Sequence, residues 1–297
     1  MMHPDDQPKC FASHLGVWLM QSDVLNRAVL AIKAGVNPEW SNAQPLALGG
    51  ESLGDSGAYI LSNGIGVLEL RGAMMKGESK FGGISTVKAR QAVRAMAMNK
   101  DVEHILLVLE TGGGSVSGTQ ELGDEIRSAN ETKGVTIYAE DMIASAGYWI
   151  GAQAGKLYAN KMAEIGSIGV YAVVHDTSGA YEREGIKVHL ISSGDQKGIG
   201  TDGIPITEDA LSSLQERVAS LHEFFIDAVV SGRGLERAKV EEIADGRTMM
   251  ASKAEELGLI DGIRTIDEVV SEISQNIENK KARSKMSTLN ARMKNLK

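Results

Sequence analysis

The chain has 297 residues, 42% of them hydrophobic, enough to bury a core for one large domain with appendages or for two small domains. Lysine and arginine number 31 against 39 acids, a net charge of −8, which argues against a general nucleic-acid-binding surface. Cys10 is the only cysteine, which rules out an intrachain disulfide, and no spaced Cys/His cluster implies a metal, no basic flank with an apolar run marks a secretory signal, and no apolar stretch approaches the about 18 residues of a membrane span. The expectation is a cytoplasmic protein that needs neither metal nor cofactor.

In chain order, residues 1–40 read as an N-terminal docking arm. Phe11 to Met20 suggests a short extended piece, and Val24, Leu25, Val29, Leu30 and Ile32 the apolar face of a helix. Residues 41–63 are rich in Gly, Ser, Ala and Asn with little periodicity and read as a linker. The main domain is expected over 64–264. Its opening pattern is a strand at 65–70, a helix at 84–98 and a buried strand at 104–109, whose end runs into Thr111-Gly112-Gly113-Gly114. A helix at 118–128, a strand at 135–139 and a helix beginning after Ser145 follow. Strands alternating with helices predict an α/β fold with βαβ units and a largely parallel sheet. In such sheets the loops after the carboxyl ends of strands build the site, and both the glycine loop and Ser145 occupy such loops. Further strands are expected at 168–174 and 188–191, and a long amphipathic helix at 208–230 behind an N-cap at Thr207. Thr265-Ile266-Asp267-Glu268 matches a capping box that starts a last helix. Residues 265–297 are read as a C-terminal helix and a basic tail, the tail from Lys280 having the composition of a disordered segment. Met286 reads as an ordinary tail methionine.

Three features carry chemistry. Ser145 lies among small residues, Ala144, Ala146 and Gly147, ahead of Tyr148 and Trp149. Taken alone it reads as a helix N-cap, and alternatively as a nucleophile at a strand-to-helix turn. The glycine loop reads as a plain turn, or as backbone N–H donors that a tetrahedral oxyanion can approach closely. It carries neither a Walker lysine nor a dinucleotide fingerprint. Lys197, flanked by Gly194, Gly198 and Gly200, reads by composition as a solvated loop residue, although a neutral, buried lysine can serve as the base that a serine nucleophile requires.

The order of four motifs resembles the signal peptide peptidase A family of serine peptidases, relatives of the Clp protease/crotonase fold. They are Glu110–Val116, Ala144–Ile150, Ile165–Val170 and Ser193–Lys197, with 246–248 and 254–261 adding a similar closing segment. The resemblance covers approximately residues 64–263. It implies that Ser145 attacks the peptide carbonyl, that Lys197 is the general base and later the acid, and that Ser167 orients the lysine. It also implies an oxyanion hole from the backbone N–H groups of Gly113 or Gly114 and of Ala146. Two departures stand out: Thr111-Gly112 replaces the family's usual Ser-Pro, and Ala146 a common glycine. The missing proline predicts a more flexible loop. A Ser-His-Asp triad is weighed on His104, His175, His189 and His222. The Clp arrangement expects a histidine near Val170, and His175 beside Asp176 is the nearest, though better read as a loop or interface residue.

Within the family, the segment Ser13–Met20 and the stretch Leu190–Lys197 are similar to the phage capsid assembly proteases, which implies scaffold and head proteins as substrates in a phage or prophage setting. The same resemblance implies a homo-oligomeric ring. Three alternatives are a cytoplasmic signal peptide peptidase-like enzyme that degrades peptides, a crotonase-like enzyme acting on acyl-CoA thioesters, and a catalytically silent capsid or scaffold-binding protein.

Overall fold

The computed structural model describes residues 17–20, 48–54, 57–79 and 82–294. The helix expected at 24–34, most of the linker and Cys10 lie outside the described residues. Three strands form the centre: β4 (Ile65–Arg71), β7 (His104–Thr111) and β9 (Val135–Ala144), each paired in parallel with the next. Two further parallel strands, β10 (Lys156–Ala159) and β11 (Glu164–Gly166), pair with the first and second halves of β9. Short antiparallel strands close the edges. On one side are β2 (Glu51–Ser52) and β3 (Tyr59–Ile60), on the other β13 (Thr248–Met250), while β14 (Gly262–Ile263) adds to β10 in parallel.

Both faces of the sheet are covered, which explains why the central strands are apolar along their whole length rather than alternating. Ile105, Leu107 and Leu109 point to one core together with Val135, Ile137 and Ile143, while Leu106 and Val108 point to a second core with Ile65, Val67 and Tyr138. Helices α1 (Thr86–Met98), α2 (Thr119–Thr132) and α3 (Ala146–Gly151) pack on the first face, joined by Phe225, Ile226 and Val229 of α5 (Glu208–Arg233). Among the described residues, the last helix, α8 (Ile266–Lys294), is the helix that covers the second face, through Val269, Ile273 and Ile277. Between these elements lie α4 (Ser178–Arg183), α6 (Arg237–Ile243) and α7 (Ala251–Glu256).

A second, smaller sheet sits over the carboxyl ends of the strands. Its order is β12 (Tyr171–Ala172), β1 (Val17–Met20), β8 (Gly113–Ser115), β5 (Met74–Met75) and β6 (Ile84–Ser85). The glycine loop is thus part strand, paired on one side with the N-terminal arm and on the other with Met74. Gly114 has no alternative there, because a Cβ on it would meet the Met74 carbonyl oxygen at 1.8 Å.

The α/β fold with its largely parallel sheet matches the sequence expectation. Both predicted caps form: Thr207 Oγ1 accepts from Ala210 N, and the Thr265 and Glu268 side chains and backbone N–H groups bond reciprocally. Three expectations need correcting. The strand expected at 168–174 shrinks to Tyr171–Ala172, because only that stretch finds a partner, β1. Residues 188–191 form no strand; Leu190 and Ile191 are exposed and unpaired. The tail from Lys280 is helical through Lys294, because the capping box nucleates a helix that the first half of α8 anchors.

Candidate active site

The last strand of the sheet's centre ends in an unusual turn. Between Leu109↔Ala139 and Thr111↔Ile143, β7 advances two residues while β9 advances four, so β9 bulges at 140–142 and is re-aimed before Ser145. Ser145 follows directly with φ 55° and ψ −120°, a left-handed conformation that costs a non-glycine residue energy and persists only where surroundings enforce it. Its surroundings do so. The Ser145 N–H donates to the Gly166 carbonyl at 2.8 Å, the Trp149 N–H donates to the Ser145 carbonyl at 2.9 Å, and the residue is 1% exposed. Ser145 occupies the N-cap position of α3, yet its side chain makes no capping bond. A strained strand-to-helix serine whose hydroxyl is not spent on the helix has the geometry of a nucleophile elbow.

Ser167 stands next to it. Gly166 pairs with Ala144 across β11 and β9, so Ser145 and Ser167 follow paired residues on adjacent parallel strands. Among the described residues they are the two non-glycine positions with positive φ, 55° and 51°. Ser167 is also buried, and its N–H donates to the Arg247 carbonyl at 2.8 Å. The segment around 246–248 therefore holds Ser167 as the β11 edge holds Ser145.

The glycine loop touches the same helix. A Cβ on Gly147 would lie 2.4 Å from Thr111 Cγ2, so the Thr111 methyl fills the space beside the first turn of α3. Thr111 is 2% exposed; its hydroxyl donates to the Gly72 carbonyl at 2.6 Å and accepts from the Gly113 N–H at 3.1 Å. The proline-free loop is thus tied by two hydrogen bonds of the Thr111 side chain, a bonding not visible in the sequence. In this structure the Gly113 N–H already has an acceptor in Thr111, whereas Ala146 opens α3, where a backbone N–H has no carbonyl one turn back.

Lys197 is not brought to Ser145. It lies in an excursion from 173 to 206 between β12 and α5, is exposed, and its ammonium makes no bond or ion pair with another described residue. The excursion is tied to itself: Asp176 accepts from the Ser178 hydroxyl and N–H and from the Ile206 N–H, bonds that hold its carboxyl below the usual range. Gly203 N donates to Thr177 Oγ1 at 2.8 Å. Val173, Ile186, Leu190 and Ile191 are exposed along it, the last at 96%.

Three of the four histidines weighed as bases stand elsewhere. His104 opens β7 at the opposite end of the sheet; burial, with Lys280 adding, lowers it to about 4, and its Nε2 lies 2.9 Å from Thr136 Oγ1. His175 and His189 are exposed on the excursion. His222 lines a cavity of about 490 Å³ with Ser167, Met20, Val170, Tyr171 and Val218, so this cavity adjoins a predicted site residue. A larger groove of about 1090 Å³ lies at the amino ends of β4 and β7, beside Gly64 and Glu103, away from this chemistry.

Below the glycine loop, Arg71 at the end of β4 gathers three carboxylates: Glu110 of β7 at 2.6 Å, Glu69 at 3.2 Å and Glu140 of the β9 bulge. Sequence reading missed this cluster, since its members are far apart in the chain and each looks like an ordinary strand-end charge.

A family model described as peptidase family S49 matches residues 127–280, more than half of the chain, including Ser145, Ser167 and Lys197. The capsid assembly protease C of Escherichia phage lambda is 28% identical over 248 residues, covering 80% of this chain and 55% of the relative. A relative from Methanocaldococcus jannaschii is 29% identical over 180 residues, 60% of this chain and 58% of that one. Protease 4 of Haemophilus influenzae is 23% identical over 218 residues, 73% of this chain and 35% of the relative. The chain spans about half the length of the curated relatives it matches. Among the described residues no helix is long and apolar enough to cross a membrane.

Proposed function

From the premise that the chain belongs to peptidase family S49, we propose that it is a serine endopeptidase whose nucleophile is Ser145 and whose base is Lys197. The observation that carries the reading is the Ser145 turn: buried, left-handed, locked by the Gly166 carbonyl, with a hydroxyl that makes no capping bond. The Ser145 hydroxyl gives its proton to the unprotonated Lys197 amine as Oγ bonds to the substrate carbonyl carbon. The resulting oxyanion is held by the Ala146 N–H and by the Gly113 or Gly114 N–H, the former shared with Thr111 Oγ1. The C–N bond then breaks, the lysine returns the proton to the leaving amine, and water releases the acyl group by the same steps in reverse order. Ser167, on the adjacent strand, orients the lysine once it arrives.

Lys197 must reach Ser145 and lose water for this chemistry, and its exposed, apolar-flanked excursion suits delivery on assembly into a homo-oligomeric ring. Within the family we assign a role in phage or prophage head assembly, supported by the lambda match, which takes in 80% of this chain. The expected outcome is cleavage of a denatured protein substrate that rises with pH, because only the unprotonated amine accepts the serine proton. A fluorophosphonate should label Ser145. Ser145→Ala and Lys197→Ala should each abolish cleavage, and intact cleavage by either variant refutes the dyad. Mass spectrometry of head proteins co-expressed with the enzyme tests the assembly role: discrete fragments absent with Ser145→Ala support it, and untouched head proteins beside active enzyme remove it.

A further inference from the structure

Helix α8 changes character halfway along. Val269, Ile273 and Ile277 are buried against the sheet, and Lys281 closes that contact with an ion pair to Glu103 at 3.4 Å. At about 100° per residue, the continuation of this line falls on Ser284, Ser287 and Thr288, which are polar and exposed. A second apolar line starts at Ala282 and runs through Met286 and Leu289, and the sequence repeats the spacing at Met293. Met286 lies nine residues past Ile277, about half a turn around the helix from it, so the second line faces away from the body. Met286 and Leu289 are 66% and 59% exposed.

The spacing of this line is that of heptad positions d, a, d and a, which places Arg283, Lys285, Asn290 and Arg292 at the flanking e and g positions. Residues 280–297 hold seven cations and no acid, leaving a formal −15 on residues 1–279 against −8 for the whole chain. The line is narrow and has no aromatic residue, which suits it poorly to a lipid surface, where a broad face with Trp, Phe and Leu is required. Pairing with the same segment of a second copy sets cations against cations at e and g.

We propose that the distal half of α8, centred on Met286 and Leu289, is a docking seam for an acidic amphipathic helix of another protein, one with apolar a and d residues flanked by glutamate or aspartate. The apolar residues supply the buried centre of the contact, and Arg283, Lys285 and Arg292 select the partner's charge and speed encounter. The seam belongs to the helix on the opposite face of the sheet from α3, so it stands independently of the peptidase reading.

The test titrates the full chain with a synthetic peptide of repeating heptads carrying Leu at a and d and Glu at e and g, read by fluorescence anisotropy. A peptide with Lys at e and g, double-stranded DNA and phosphatidylserine-containing vesicles serve as parallel probes. The Glu peptide should bind saturably and more weakly as ionic strength rises. The pair Met286→Ser, Leu289→Ser should weaken it roughly tenfold or more, and Arg283→Glu, Lys285→Glu should do the same while gaining the Lys peptide. Both pairs are exposed, so unchanged thermal unfolding is expected and is checked alongside. Absence of Glu-peptide binding overturns the proposal, as does binding indifferent to the Met286 and Leu289 changes. So do tighter binding to DNA or vesicles, and self-association that the same changes abolish, which makes a second copy the occupant.

Discussion

Thr111 holds two parts of the site with two ends of one side chain. Its methyl packs against Gly147 at the start of α3, and its hydroxyl bridges Gly72 and Gly113. Substitutions separate the two roles. Thr111→Val keeps the methyl and leaves the Gly72 carbonyl without its partner, which should cost about 1–2 kcal/mol of stability. It should also lower kcat by roughly tenfold or more with little change in KM if, as proposed, the loop's N–H groups act mainly on the transition-state oxyanion. Thr111→Ser keeps the hydroxyl and loses one methyl, about 1 kcal/mol of burial, and should retain most of kcat. Equal kcat losses in the two variants make Thr111 a packing residue only. Residue identity alone reached part of this site. Ser145 taken alone reads first as a cap, because caps and nucleophiles favour the same small polar residue at the same place, and only φ and the missing cap bond separate them. Thr111 was legible as a departure from a family pattern, but its partners Gly72 and Gly147 lie 39 residues before and 36 after it, and no local signal joins them.

At the scale of elements, the three central strands are held in register at their carboxyl ends by Arg71, which binds Glu69 on its own strand, Glu110 on β7 and Glu140 on β9. Burial raises the Glu140 carboxyl above its ordinary range, and Arg71 offsets only part of that rise. Replacing Arg71 by Met removes the offset and leaves three carboxylates together, so Glu140 should rise further. A carboxyl whose folded-state value lies above its unfolded value binds more protons when folded, and its contribution to stability is lost as pH climbs through that window. Thermal unfolding of Arg71→Met should therefore show a deficit of about 2–3 kcal/mol at pH 7 that shrinks toward pH 5. A deficit independent of pH assigns the loss to packing of the arginine stem. The strands themselves were legible, because runs such as Ile105–Leu109 are apolar on both faces and hence buried on both. The apolar residues at 188–191 misled for the opposite reason, being exposed on the excursion. Elements of two to seven residues, such as β11, β13 and α6, left little trace, since tertiary pairing forms them and so short a stretch shows no periodicity.

For the whole molecule, the proposed dyad requires Lys197 to reach Ser145. The described protomer presents Ser145 in a buried turn and Lys197 on an exposed excursion edged by Val173, Ile186, Leu190 and Ile191. Apolar residues so placed are covered when the excursion lies against a neighbouring copy, and a head-to-tail contact repeated around a closed ring covers every one of them in the same way. In the proposed ring, each site would combine Ser145 of one copy with Lys197 of the next. Mixing the inactive Ser145→Ala and Lys197→Ala variants in equal amounts, under conditions that let subunits exchange, places an intact serine beside an intact lysine in about a quarter of the sites, because each of the two neighbours is the suitable variant half of the time. Cleavage should accordingly return to about a quarter of the wild-type rate per site, and fluorophosphonate should label only the Lys197→Ala subunits. A mixture that stays inactive although the variants demonstrably co-assemble places both residues of each site on a single copy, with the excursion folding back on its own Ser145. The same measurement at several total concentrations separates assembly from exchange, since activity per site should fall on dilution as rings dissociate and Lys197 returns to solvent.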